Sequence, residues 1–325
     1  MFGRKQNILI IKTDGLEAFV AAEPAFEAVR TAHPKARISL LTSAGLQRIA
    51  RAAPFFDQVA ALPNMRESEA RKEFIRQLKN AKFDCVYDLS GDAAAKKLRS
   101  AMGPFRPKWI SGDQASRGSR DDDETDGAAP FVEKALAAAK IEPLNRLPDF
   151  SWAVAARKDS ANMQPSWYGI SGTFGMFLPG LDPARRWPAE NYARLAQMMA
   201  RMSIMPVLAG GKELHVFGDE ISNDAPELVD LSGKTDHLQL AALAKEAAFF
   251  VSDSAEEVHL AVSVGCQGVL IVKAGEEFRA PIGRHVVALT APGDLGRIEP
   301  EFAWRTLENM GLIPSMGPAP RAAAR

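Results

Sequence analysis

Apolar residues along this chain fall into two alternating rhythms: short continuous runs, and longer stretches with helical spacing. The run from Asn7 to Thr13, NILIIKT, is apolar on both faces, as a strand inside a parallel sheet must be. Asp14-Gly15-Leu16-Glu17 ends it and starts a helix that reaches about Ala32, where His33-Pro34 stops it. A strand over Arg37–Thr42, a helix over Ala44–Ala53, a strand over Gln58–Leu62, a helix over Glu67–Asn80 and a strand over Asp84–Leu89 follow. That alternation predicts a doubly wound α/β sheet.

The rhythm then breaks. Residues 111–129, SGDQASRGSRDDDETDGAA, are polar, glycine-rich and charge-blocked, and are expected to form a mobile loop. A helix over Phe131–Ala139 and a linker over Pro143–Phe150 come next. A second α/β unit begins near Gly175, with strands Gly175–Leu178, Met205–Ala209, Phe249–Ser252 and Gly268–Val272 and helices Ala189–Met202 and Glu213–Asn223. Between the last two strands, Asp253 and Ser254 open a helix that carries His259. The segment Glu299–Met310 completes the unit and is expected to pack back across the interface between the halves. The expected organisation is therefore an N-terminal domain over 1–155, a C-terminal domain over 165–312 and a disordered tail over 313–325.

Composition narrows the function classes. Forty basic and forty acidic residues cancel in a 325-residue chain, which argues against a general nucleic-acid-binding surface. Cys85 and Cys266, the two cysteines, sit in apolar contexts and read as buried thiols of a reducing compartment. The apolar run near the N-terminus is too short for a signal peptide or a membrane span, so the expected location is cytoplasmic.

Candidate chemistry collects where strands end. The passage VDLSGKTDHLQLAALAKEAAFFVSDSAEEVHLAVSVG, from Val229 to Gly265, runs turn, helix, strand, helix, with polar residues at the strand's carboxyl end. Ligands bind there in open α/β sheets, because helix N-termini offer unpaired N–H groups. This passage resembles the nucleotide-sugar half of glycosyltransferase family 9, the ADP-heptose:lipopolysaccharide heptosyltransferases. The resemblance implies two Rossmann-like domains facing a cleft, the GT-B architecture.

Carried over residue by residue, the resemblance marks both matches and departures. In the family's R-x-D-x-x-G-D signature, Lys12 stands for the Arg, Asp14 for the first Asp, Glu17 for the Gly, and Ala18 for the Asp that acts as general base. A methyl group cannot accept a proton, so Asp14 and Glu17 are the remaining catalytic candidates. Asp14-x-x-Glu17 also reads as a capping box that satisfies its own helix. In the Pro179-Gly180…Arg185-Arg186-Trp187-Pro188 stretch, Leu178 replaces the family's His, and Arg185 falls at the Lys that reaches the phosphates, with Arg186 beside it. The competing reading makes Pro188 the first helical residue and both arginines solvated. Gly211 and Glu213 follow a strand, where glycine lets backbone approach a nucleotide and the carboxylate reaches a ribose. In the family's D-S/T-G-x-x-H, Asp253 and Ser254 match, Ala255 replaces the Gly, Glu256 and Glu257 enter, and His259 stands for the His after one inserted residue. Ser254-x-x-Glu257 again has the form of a capping box.

The resemblance implies an inverting, metal-independent transfer of a sugar from an ADP-sugar to a lipopolysaccharide or other surface-glycan acceptor. It implies no cofactor, no metal site and no nucleic-acid partner, and leaves room for a peripheral contact with the inner membrane surface. The donor is expected in the interdomain cleft against Arg185, Gly211, Glu213, Thr235 and Asp253-Ser254, faced by Asp14 and Glu17. The missing base at Ala18 and the acidic pair Glu256-Glu257 keep an alternative open: a catalytically silent homologue that binds or scaffolds in envelope-glycan assembly.

Overall fold

The computed structural model describes residues 5–104, 106–113, 128–155, 160–253, 255–276 and 285–314. Most of the expected mobile loop, Ser254 and the tail beyond 314 lie outside the described residues. The chain divides into two compact units, Met1–Arg157 with Asp236–Leu238, and Lys158–Thr235 with Gln239–Arg325.

The first unit holds a five-stranded parallel sheet of β1 (Asn7–Lys12), β2 (Arg37–Thr42), β3 (Gln58–Ala61), β4 (Cys85–Asp88) and β5 (Lys108–Ser111), in the order β3-β2-β1-β4-β5. β1 and β4 are buried along nearly their whole length, as the apolar runs require. The helix expected from residue 14 to 32 is instead two, Leu16–Ala21 and Glu23–Ala32. Pro24 sits in the first turn of the second, and its missing N–H and fixed φ favour a fresh start over continuation. One core cluster of this unit joins Leu9, Ile11, Leu41, Val86, Ala95, Leu98 and Trp109.

The second unit holds a six-stranded parallel sheet of β6 (Phe174–Leu178), β7 (Met205–Gly210), β8 (Val229–Ser232), β9 (Phe249–Ser252), β10 (Gly268–Lys273) and β11 (Val286–Ala291), in the order β11-β10-β9-β6-β7-β8. Helix Ala189–Arg201 buries Tyr192, Leu195, Ala196 and Met199, the i, i+3, i+4, i+7 stripe of a helix laid on a core. The C-terminal helix Pro300–Asn309 puts Ala303, Trp304 and Leu307 into that same core. Its apolar face is thus used within its own unit.

Each sheet reverses its strand order at one place, between β1 and β4 in the first and between β6 and β9 in the second. At such switch points the connections leave in opposite directions and open a crevice at the carboxyl ends. Cys85 and Cys266 are buried and free. Burial raises their thiols to about 11 and about 12, so neither is a ready thiolate nucleophile at neutral pH.

Candidate functional site

The carboxyl end of β1 is tied to that of β4 by buried and half-buried polar groups. Lys12 is fully buried, and its Nζ donates to Asp14 Oδ2 and to the Leu89 carbonyl, both at 2.9 Å. Burial lowers the proton affinity of the Lys12 amine, with Asp14 opposing the shift. Burial likewise raises the Asp14 carboxyl above its usual range against the pull of Lys12. Asp14 Oδ1 is buried without a hydrogen-bond partner. Ser90 and the Asp14 backbone N–H add weaker pulls toward the charged form.

Around this pair, Thr13 N–H donates to Ser90 Oγ at 2.7 Å, and Thr13 Oγ1 donates to Asp92 Oδ2 at 2.7 Å. Asp92 also caps helix Ala93–Ala101 by accepting from Ala95 N–H. Buried Asp88 holds the next turn through the N–H groups of Ser90 and Gly91. Sequence reasoning passed over Ser90 and Asp92; the available signal was an Asp directly ahead of the helical run AAAKKL.

Glu17 lies exposed in the first turn of Leu16–Ala21, and Ala18 beside it is half-buried. That helix has Gly15 at its N-cap with φ 26°, and no side-chain cap. The expected Asp14-x-x-Glu17 capping box is therefore absent, because Asp14 is drawn to Lys12 instead.

In the second unit the switch point is built on Asp253. This carboxylate is fully buried: Oδ1 accepts from Gly180 N–H at 2.6 Å, and Oδ2 accepts from Trp187 N–H at 2.7 Å and Tyr192 O–H at 2.9 Å. Burial pushes its pKa up to about 7, with the two backbone donors opposing. Asp253 thus faces its own protein.

Arg185 and Arg186 lie between those two backbone anchors. Arg185 Nη2 pairs with Glu276 Oε2 at 2.7 Å. The Arg186 guanidinium carbon stands 4.0 Å from the centroid of the Phe217 ring, a cation–π contact. Both arginines are half-buried, so the reading that leaves them solvated is corrected. Pro188 is the N-cap of helix Ala189–Arg201, one position earlier than expected. Arg186, Trp187, Pro188, Phe217, Glu220 and Asp294 also line a cavity of about 320 Å³.

The loops after β7 and β8 pack on each other. Gly233 has φ 67°, its N–H donates to the Gly210 carbonyl at 2.8 Å, and a Cβ added to it would lie 2.9 Å from Lys212 Cα. Glycine is needed there for the loops to meet. Gly211 lies under the Glu213 carboxylate, whose Oε2 is 2.5 Å from where a Cβ would stand. Thr235 follows this turn and is half-buried.

After β9, the helix begins at Glu257, with Glu256 at its N-cap and no side-chain cap. The expected Ser254-x-x-Glu257 box involves Ser254, which lies outside the described residues. Burial raises the Glu257 carboxyl, and Glu256 and Glu213 raise it further. His259 sits in the first turn, half-buried, its N–H on the Glu256 carbonyl at 3.2 Å. Among the described residues no group of three or more His, Cys, Asp and Glu is placed to hold a metal ion, and no helix is long and apolar enough to cross a membrane.

The model of the family described as glycosyltransferase family 9 (heptosyltransferase) matches residues 71–288, more than half of the 325. The chain belongs to glycosyltransferase family 9. Lipooligosaccharide heptosyltransferase 2 of Haemophilus influenzae is 32% identical over 95 residues, which span 27% of this chain and 28% of that protein. The match thus covers little more than a quarter of that relative's length. E. coli ADP-heptose lps heptosyltransferase II superimposes over 94% of this chain and 98% of its own, with TM-score 0.74 and 17% identity. E. coli heptosyltransferase WaaC, solved with ADP, does so over 94% and 100%, with TM-score 0.75 and 16% identity. At these identities the likeness is one of fold, and the fold is that of the GT-B heptosyltransferases.

Proposed function

We propose that this family 9 member transfers a sugar from an ADP-sugar to a hydroxyl of a lipopolysaccharide or other surface-glycan acceptor, with Asp14 as the general base. The observation that carries this reading is the Lys12–Asp14 pair at the β1–β4 switch point. One carboxylate oxygen is held by a buried amine, the other is buried without a partner, and burial favours the protonated acid. A base of raised proton affinity, fixed by one oxygen, suits removal of a proton from an alcohol. In the reaction the acceptor O–H gives its proton to Asp14 and the oxygen bonds to the anomeric carbon. The bond from that carbon to the diphosphate breaks, and ADP leaves with its electron pair. Arg185 and Arg186, Gly211, Glu213, Thr235, Ser254 and His259 form the donor side in this reading. It draws support from the ADP in one fold relative and the ADP-heptose in the name of another.

The test is transfer from ADP-heptose by wild type, Asp14→Asn and Glu17→Gln. Asp14→Asn should abolish transfer while leaving ADP affinity nearly unchanged, because the base acts on the acceptor. If Glu17→Gln alone abolishes it, the base is Glu17 and this assignment falls.

A second reading has its own observation. Glu213, Glu256 and Glu257 gather at the β7 and β9 ends, Glu276 occupies Arg185, and Ala18 stands at the family's base position. Carboxylates near a diphosphate oppose it by on the order of 1 kcal/mol each at solvent-like dielectric. These features favour a silent homologue that binds or scaffolds in envelope-glycan assembly. A thermal-shift panel with ADP, GDP, UDP and ADP-heptose separates the two. A ligand at a hundredfold excess over Kd stabilises by about 2.7 kcal/mol, and no shift with any nucleotide selects the silent protein.

A further inference from the structure

We propose that Asp253 is a positioning residue: it fixes the loop that carries Arg185 and Arg186, and so sets affinity for a nucleoside diphosphate without touching it. This rests on the reading of the second unit as the donor side.

Four observations carry it. Asp253 is fully buried, and its known partners are groups of its own protein. Those partners, Gly180 N–H at 2.6 Å and Trp187 N–H at 2.7 Å, stand just before and just after the segment Leu181–Arg186. Between them, Asp182 accepts from Ala184 N–H at 3.0 Å and forms the single turn Pro183–Arg185. The far anchor is itself rigid: Trp187 is fully buried, its indole N–H donates to the Ile298 carbonyl at 2.9 Å, and its ring meets Tyr192 edge-on at 5.0 Å.

Tyr192 completes the arrangement by giving its O–H to the same oxygen that takes Trp187 N–H. Here one buried carboxyl group takes the backbone N–H at both ends of a loop, at 2.6 and 2.7 Å. Register explains the reach, since Leu178 pairs with Ser252 and Asp253 follows at the level of the departing β6 chain. An asparagine would keep the volume but turn an NH2 toward one of the donors, leaving a backbone N–H unpaired.

The test compares wild type, Asp253→Asn and Tyr192→Phe by residue-resolved amide exchange and by calorimetric titration with ADP. It adds Arg185→Ala and the Asp253→Asn, Arg185→Ala double variant. Asp253→Asn should speed exchange at Gly180 and Trp187 about tenfold, leave Val207 and Leu208 in β7 unchanged, and weaken ADP by about tenfold. Tyr192→Phe, which keeps both backbone bonds, should shift the same quantities less. In the Arg185→Ala background, Asp253→Asn should cost no further ADP affinity, because a residue that acts through Arg185 has nothing left to position. Unchanged exchange at Gly180 and Trp187 in a folded Asp253→Asn would overturn the proposal, as would additive losses in the double variant. If Asp253→Asn does not fold, the Tyr192→Phe comparison decides in the same way. If wild type binds no ADP, the donor-side reading falls, and the exchange measurements alone decide whether Asp253 holds the loop.

Discussion

Glu276 closes on Arg185, Oε2 to Nη2 at 2.7 Å, with both side chains about a quarter exposed. That guanidinium is therefore paired with the protein's own carboxylate. Glu276→Ala should release the guanidinium and tighten ADP up to about fivefold, the factor matching the roughly 1 kcal/mol upper range of a partly exposed ion pair. Titration calorimetry reads this directly. Weaker binding would mean that Glu276 holds Arg185 in its working geometry.

The Lys12–Asp14 pair yields a stability prediction with an internal comparison. Asp14→Ala strands a buried ammonium and should cost about 3 kcal/mol or more, whereas Lys12→Met fills the same space without charge and should cost less. Urea unfolding of both variants checks the order.

Gly233 and Gly293 form a matched pair of glycines with positive φ, 67° and 82°. A Cβ at Gly293 meets nothing within 4 Å, whereas one at Gly233 meets Lys212 Cβ at 2.7 Å and Cα at 2.9 Å. Gly293→Ala should cost about 1 kcal/mol through backbone strain alone, and Gly233→Ala clearly more, because backbone must shift. Equal losses in chemical denaturation would show that the β7 and β8 loops separate easily.

Asp253 also sets a pH dependence. Its folded pKa of about 7 lies above the unfolded carboxylate value of about 4. Below pH 4 both states hold the proton and no penalty applies. Between about 4 and 7 the unfolded chain releases it while the folded protein retains it, so stability falls as pH rises, and above 7 the penalty is constant. Asp253→Asn removes this slope. The melting temperature of wild type relative to the variant should therefore decline from pH 4 to 7; a flat difference would contradict the assignment.

Strands with apolar runs on both faces, such as β1 and β9, were legible from residues alone, and so was the doubly wound plan. β11, VVALTA, was not anticipated: its apolar run Val286–Leu289 is short, and the strand lies at the sheet edge with partly exposed positions. β5 is only four residues long and abuts the polar stretch that obscured it. Candidate site residues were legible as polar groups after strands, but their partners were not. Lys12 and Leu89 are 77 positions apart, and Gly180 and Asp253 are 73 apart. Nothing in local spacing says which strand ends adjoin until the sheet order is known. The Asp14-x-x-Glu17 capping box failed for a related reason: a short polar side chain follows the strongest partner in space, and for Asp14 that partner is a buried lysine.

The order β11-β10-β9-β6-β7-β8 has a consequence for how the chain is made. β6 finds β7 soon after both emerge from the ribosome, yet its other edge waits for β9, where Gly175 pairs with Phe249. Throughout that interval of synthesis, the wholly apolar strand FGMFL presents an open row of N–H and C=O groups. Long-range parallel pairing is slow, and unpaired apolar edges invite association with other chains. A nascent chain stalled or cut before β9 is thus a sticky species, and the interval before Phe249 appears is the stretch of synthesis in which a chaperone is most needed.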